Sequence, residues 1–493
     1  MSIDTAKGIL GDATVAELQS ALRGTVVRPG DPEYDQARAV WNGAHDKHPA
    51  LVVRCAGTAD VLRAVEFARS QDLLVAVRGG AHSIAGFSTC DDGIVIDLSG
   101  MRAAHVRPRE RRVTAQAGTT WGDLDHETQA FGLATTGGLV STTGIGGFTL
   151  GGGVGWLLRR HGLACDNLTA ADVVTADGRL VHADAEEHAD LFWALRGGGG
   201  NFGVVTSLEY ELHPVGPQVL SGLIVYPLEQ ARQVVTGWRD AVADAPDDLT
   251  TLINLTTAPP VPFLPEEVHG TRVVVVAGMY AGEAADGEKA VAPLRALGTP
   301  IADLMQPMPY TAMQQLLDPL WTAGAHNYFT STFVEPTDGV FDTALELHTT
   351  TPTPFSEIHL HQLGGAFGRM PADATAFSQR SPGLLVNVIA RSPDSADFDA
   401  HVAWARGARD TIAAHGQGTT YVNFTGETSP GTVRASYPGD VHERLVRVKD
   451  AYDPTNLFRL NQNRGRGRRA ALIDRDPPAP TWPNRDVWVH CWA

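Results

Sequence analysis

The sequence predicts an α+β protein made of two units that share one chain. Three observations predict it. From Leu51 the chain alternates strand, helix and strand, and then breaks into a glycine loop, Arg78-Gly79-Gly80-Ala81-His82-Ser83. Glycine is also concentrated: nine of the 52 glycines fall between Gly137 and Gly155, and four more run from Gly197 to Gly200. Near Pro214–Pro217 the glycine loops stop and longer strands begin, which marks a domain boundary.

The elements follow in order. A short helix is expected around Thr14–Leu22. Leu51–Cys55 is a run of apolar strand formers. Thr58 or Asp60 can cap the next helix, whose apolar positions Val61, Leu62, Val65 and Ala68 recur at helical spacing. Leu73–Val77, Ile94–Leu98 and Arg112–Ala117 continue the strands, and Trp121–Phe131 is helical. Asp172–Val181 reads as a hairpin turned by Asp177-Gly178. Glu187–Leu195 is a short helix and Val204–Leu212 an alternating strand. In the second unit, strands at Arg272–Ala277, Glu357–Leu363 and Leu384–Ala390 mix with helices near 228–243, 283–297 and 400–415. That pattern predicts an antiparallel sheet with helices on one face. Tyr421–Phe424 reads as a strand, and a helix follows near Asp440–Ala451. The expected division is 1–217, 218–420, a segment 421–463 returning to the first unit, and an unpatterned tail 464–493.

Composition removes several function classes. Lys plus Arg is 39 against 56 for Asp plus Glu, a net charge of −17. That balance argues against nucleic acid, whose phosphates need a basic surface. The one basic cluster, Arg464–Arg469, reads as a solvated tail. No run of about 18 apolar residues suits a membrane span, and the first residues show no leader pattern. The expectation is a cytoplasmic protein, monomer or homodimer. Four cysteines, Cys55, Cys90, Cys165 and Cys491, are too few for a disulfide framework, and no C-x-x-C occurs.

The glycine loops carry the functional signal. In such loops backbone N–H groups can turn together toward an anion, and the missing side chains let it approach. The loops Arg78–Ser83 and Ser141–Gly147 could each cradle a pyrophosphate. Nine glycines in nineteen positions are too dense for turns alone. Gly144-x-Gly146 lacks the third small residue of a Rossmann turn, and no P-loop, G-x-S-x-G or H-E-x-x-H is present.

Six segments in order resemble the berberine bridge enzyme-like flavin oxidases of the vanillyl-alcohol oxidase (PCMH-type FAD) superfamily. They are Arg78–Ser83, Gly151–Trp156, Gly162–Leu168, Leu195–Val205, Tyr421-x-Asn423-Phe424, and Tyr452-Asp453-Pro454 through Asn463. The resemblance spans roughly 45–463. It implies a PCMH-type FAD domain of two α/β subdomains and a bicovalent FAD, with His82 bonded to the flavin 8α carbon and Cys165 to ring carbon C6. It places the pyrophosphate on Gly79, Gly80, Ala81, Ser83 and the loop of Ser141, Thr142, Gly144, Gly146 and Gly147. Arg78, Gly86, Gly152, Gly153, Asp166, Asn167 and Leu168 belong to the same cofactor motifs. Gly138, Gly203 and Val205 would line the adenine and ribose side, and Asn461 and Asn463 would return near the isoalloxazine.

The resemblance further implies hydride transfer from a substrate carbon to the flavin, with Tyr421 as base and Asn423 beside it. Thr143 stands where the family controls oxygen access, and its small size implies an oxidase using O2 and releasing H2O2. Glu357, His359 and His361 alternate on one strand face. They could wall the substrate pocket with Asn387, act as a second acid–base group, or bind metal. The further ligands a metal site requires are missing. Trp156 and the Trp321–Phe329 segment read as packing. The implied substrate is a small molecule such as a secondary metabolite (an alcohol, amine or phenol). An oligosaccharide, or a weakly active protective role, is the alternative.

Overall fold

The computed structural model describes residues 10–416 and 418–462. Asn463, the 464–493 tail and Cys491 lie outside the described residues.

The first unit holds two sheets. In the first, Leu51–Arg54, Ile94–Asp97 and Val75–Arg78 run parallel in that order, with Thr25–Val27 antiparallel at the edge. The crossover helix Thr58–Ser70 buries Val61, Ala64, Val65 and Ala68. That stripe is what its helical spacing predicts. The second sheet is antiparallel and five-stranded: Ala104–Arg107, Arg112–Gln116, Val204–Glu211, Leu168–Val174 and Leu180–Asp184. The Asp177-Gly178 turn joins the last two, with Gly178 at φ +82°.

The second unit is a large antiparallel sheet. Its long strands lie in the order Gln218–Pro227, Arg272–Tyr280, Leu249–Thr257, Glu357–Gln362, Leu384–Ser392 and His326–Val334. Helices Ala231–Ala243, Ala284–Arg295, Asp338–His348 and Phe398–Ala413 bury their apolar stripes in one core with this sheet. On the other face, Phe329 and Ile389 pack with Trp41 and Ile84 of the first unit. Asn42 is fully buried there. Its Nδ2 donates to Ile84 O (3.1 Å) and Asn327 O (2.8 Å), and its Oδ1 accepts from Asn327 N (2.9 Å), stapling the units together.

Two expectations change. Tyr421–Phe424 is not a strand: Val422–Phe424 is a single 3₁₀ turn. The second unit also contains the strands Gln218–Pro227, Leu249–Thr257 and His326–Val334, and the helix Asp338–His348, none of which the sequence pattern announces. The strands are long runs of apolar and Thr or Ser residues buried on both faces, so they lack the alternation that marks a half-exposed strand.

The returning segment is clamped from inside. Lys449, on helix Asp440–Tyr452, is fully buried, and its Nζ donates to Asp453 Oδ2 (2.6 Å), Asn201 O (2.7 Å) and Phe458 O (2.9 Å). Asp453 also accepts from the N–H groups of Leu457 and Phe458, both at 2.8 Å. Lys449 therefore ties the 453–458 turn to Asn201, just after the Gly197–Gly200 loop.

Candidate active site

A cavity of about 330 Å³ lies between the two units. One end is backbone. The loops at Gly79–Gly80 and Thr143–Gly144 cross so closely that a Cβ on Gly80 would sit 2.3 Å from Gly144 N. Only glycine permits that approach. Gly147 and Gly200, also on the wall, would meet nothing within 4 Å, so their backbones face open space. Among the described residues no Lys, Arg, Asp or Glu lines the cavity. With no charged side chain on this wall, an anion bound here would rely on backbone N–H groups.

His82 stands beside this cradle. Ala81 before it has φ +59°, the left-handed region that non-glycine residues seldom enter. The His82 ring stacks on Trp41 (centroids 4.9 Å apart, planes at 18°), and its Nε2 lies 3.1 Å from Thr142 Oγ1. Burial lowers its pKa to about 4, so the ring is neutral at physiological pH. A neutral imidazole keeps a nucleophilic nitrogen.

The other end is apolar. Trp41, Ile84, Val140, Leu317, Trp321, Phe329, Ile389 and Phe424 pack into one cluster and all line the cavity. His359, His361 and Asn387 come from adjacent strands, His359 paired in register with Asn387. His361 Nε2 and Asn387 Oδ1 are buried without a hydrogen-bond partner, as is Asn461 Oδ1 elsewhere on the wall. Each is on the cavity wall and so open to a hydrogen bond from whatever fills the cavity, ligand or water.

Comparison with known proteins fits this geometry. Residues 49–184 match the family described as "FAD binding domain", and residues 420–463 match "Berberine and berberine like". The (R)-6-hydroxynicotine oxidase of Paenarthrobacter nicotinovorans is 30% identical over 90% of this chain and 97% of its own length. The FAD-linked oxidoreductase YgaK of Bacillus subtilis, itself uncharacterized, is also 30% identical over 90% of this chain and 97% of its own. The chain belongs to the berberine bridge enzyme-like FAD-linked oxidoreductases. Among solved structures, 6-hydroxy-D-nicotine oxidase from Arthrobacter nicotinovorans superposes with a TM-score of 0.81 at 27% identity, over 90% of this chain and 98% of that one. The glucooligosaccharide oxidase of Acremonium strictum shares the fold (TM-score 0.80, 21% identity, 90% and 96% covered).

As a berberine bridge enzyme-like oxidoreductase the protein uses FAD, and its residues fit that group. Gly79, Gly80, Ala81, His82, Ser83, Gly138, Thr143, Gly144, Gly146, Gly147, Gly203, Val205, Asn423 and Asn461 all line the cavity. So do His359, His361 and Asn387. Other expected site residues are held elsewhere. Arg78 donates to Ala37 O. Gly86, at φ +72°, packs on the His45 ring. Ser141 binds Asp318 through its N–H and hydroxyl. Thr142 touches His82 and is not itself on the wall. Gly152 and Gly153 pack on Phe377 and on Ala164 and Phe148. Asp166 pairs with Arg380 at 2.8 Å, both buried. Asn167 bonds His161 O, Leu163 O and His213, and Leu168 is a core strand residue.

Two of these displacements matter chemically. Cys165 is fully buried in the core of the first unit and does not reach the cavity. Its N–H donates to Gly152 O (2.8 Å), and its Sγ lies 3.8 Å from Asp166 Oδ1. Burial, with the nearby Asp166 carboxylate, pushes the thiol pKa well up, so the nucleophilic thiolate is suppressed. Tyr421 is likewise buried and off the wall. Its hydroxyl accepts from Gly153 N and Asn423 Nδ2, both at 2.9 Å, and burial raises its pKa. Tyr421 and Asn423 do meet, but through a turn and not across a strand face.

The aromatic end has no counterpart in the sequence motifs. Trp41 precedes the first strand–helix pattern, and Trp321 is expected only as packing. Their indoles lie 6.4 Å apart although 280 residues separate them, and Trp41 Nε1 donates to Trp321 O at 3.1 Å. No local signal announces such a pairing. Trp156 is core, as expected.

Proposed function

We propose that the protein is a flavin-dependent oxidase of a small aromatic or heteroaromatic amine, phenol or alcohol, with FAD held by one covalent bond through His82. The apolar, uncharged substrate end supports this reading most. A sugar ring presents hydroxyls on every side and needs many polar partners, because a site that strands buried hydroxyls loses affinity. Walls made of Trp41, Trp321, Phe329, Ile389 and Phe424 suit a flat apolar ligand instead.

The glucooligosaccharide oxidase of Acremonium strictum carries a 6-S-cysteinyl, 8α-N1-histidyl FAD. Here only the histidine side is supported. Among the described residues Cys55, Cys90 and Cys165 are all buried, and none lines the cavity. The cavity position of neutral His82 suits attachment, and Nδ1 is the ring nitrogen without a hydrogen bond among the described residues.

When bound, FAD would supply a two-electron acceptor for the substrate C–H, with oxygen as the expected final acceptor. The chain does the rest. The aromatic walls orient the substrate ring and exclude water, and His361 and Asn387 offer hydrogen bonds.

The test is anaerobic mixing of the yellow holoenzyme with a panel of aromatic amines, phenols, benzylic alcohols and oligosaccharides. Bleaching by members of the aromatic set, reversed by air with release of peroxide, is expected. Bleaching by oligosaccharides alone would refute the reading.

A further inference from the structure

We propose that His359, seated on Glu357, takes the O–H or N–H proton of the substrate, and that Tyr421 does not. The proposal rests on the reading of the cavity as an aromatic-substrate oxidase. It goes further by assigning the base.

The geometry is that of an oriented imidazole. His359 Nε2 lies 2.6 Å from Glu357 Oε2, and the two residues are on one face of the strand Glu357–Gln362. Glu357 is fixed from the neighbouring strand: Asn254 Nδ2 donates to Oε2 (3.1 Å) and Thr256 Oγ1 to Oε1 (2.9 Å). The carboxylate thus holds the ring through Nε2–H, and Nδ1 makes no hydrogen bond among the described residues. A ring held at one nitrogen by a carboxylate, with no hydrogen bond at the other, is oriented to take a proton there. His359 lines the cavity, edge-on to Trp321 (centroids 6.2 Å apart) at the apolar end.

The surrounding groups favour His359 over its neighbours. On its own strand stand Glu357 and His361. Asn254 and Thr256 face it from strand Leu249–Thr257, Asn387 and Arg391 come from strand Leu384–Ser392, and Trp321 closes from the segment beyond Leu317. Arg391 and His348 also feel the Glu357 charge. Burial pushes the Glu357 carboxyl up, but the hydrogen bonds from His359, Thr256 and Asn254 more than offset it and leave it below its ordinary value. Glu357 therefore stays ionised at neutral pH. His361 is the poorer base, because burial takes its ring down to about 3. Tyr421 is protonated, walled off and already accepting two hydrogen bonds.

The step balances. The substrate O–H or N–H bond breaks and an N–H bond forms at His359 Nδ1. The bonding pair left on oxygen or nitrogen forms the new double bond to carbon as the adjacent C–H leaves as hydride to the bound flavin.

The closing experiment uses 4-nitrophenol, which has no oxidisable C–H beside its oxygen and is coloured only when ionised. Mixed with holoenzyme, it is expected to bind as the coloured phenolate at pH values where the free phenol is protonated. His359→Gln should abolish that shift and Glu357→Gln should remove most of it, while Tyr421→Phe leaves it in place. Retained flavin colour after gel filtration certifies that each variant has folded. With a substrate that bleaches the flavin, His359→Gln should also lose roughly 10²–10⁴-fold in reduction rate. Binding with an ionisation shift that survives His359→Gln, or that disappears in Tyr421→Phe, overturns the proposal alone. No binding of 4-nitrophenol at all would overturn the aromatic reading and the proposal with it.

Discussion

His82→Ala protein precipitated in acid is expected to give a colourless pellet, whereas Cys165→Ser gives a yellow one indistinguishable from the wild type. His82 sits on the cavity wall with a neutral ring, while Cys165 is turned into the core with its Sγ against Asp166. A bond from Cys165 to a flavin in the cavity would need this buried side chain to leave a turn whose next residue, Asp166, is held in a buried pair with Arg380. Breaking such a pair costs about 3–5 kcal/mol. Peptide mass mapping reads the same result more finely, with one flavin on the peptide that contains His82 and none on that containing Cys165. A yellow pellet from His82→Ala that turns colourless only when Cys165→Ser is added would show two tethers after all.

Lys449→Met is expected to lower stability more than any surface substitution. The ammonium and the Asp453 carboxylate are both fully buried, and the substitution removes three donated hydrogen bonds while leaving a buried carboxylate without its cation. Loss of one partner of such a pair costs about 3–5 kcal/mol. Arg63→Ala, which removes one partner of an exposed pair with Glu66, is expected to cost no more than about 1 kcal/mol. Urea midpoints of the two variants measured side by side check this. The segment Lys449 anchors carries Phe458, Leu460, Asn461 and Gln462 onto the cavity wall. Weaker retention of flavin should therefore accompany the lost stability when Lys449→Met is combined with His82→Ala. Equal midpoints for the two single variants would remove the clamp from the account.

Much of the fold and of the glycine-lined end of the cavity is legible in the amino-acid sequence. Glycine density locates the cradle, because backbone crossing at Gly80 and Gly144 leaves no room for a Cβ, and composition records that need directly. The helix Thr58–Ser70 and the strand Val204–Glu211 bury faces that their periodicities state. What sequence does not supply is direction. Cys165 and Tyr421 stand in the right motifs, yet each sits at a short 3₁₀ turn, where neither strand nor helix periodicity says which way a side chain points. The aromatic end is illegible for a different reason. Trp41, Ile84, Trp321, Phe329, Ile389 and Phe424 come from six separate segments, and only the docking of the large sheet onto the first unit brings them together. His359 is visible as one of three alternating polar residues, but its pairing with Glu357, and the support of Glu357 by Asn254 and Thr256, depend on strand register.

On the proposed reading the cavity holds FAD at its glycine end and a flat aromatic substrate at its apolar end. A crystal structure of the holoenzyme with a non-oxidised aromatic ligand tests it most directly. The ligand ring is expected among Trp41, Trp321, Phe329 and Phe424, its polar atom within hydrogen-bonding distance of His359 Nδ1, with one bond from His82 to the flavin. A ligand bound outside this wall, or a flavin bonded through Cys165, would contradict it.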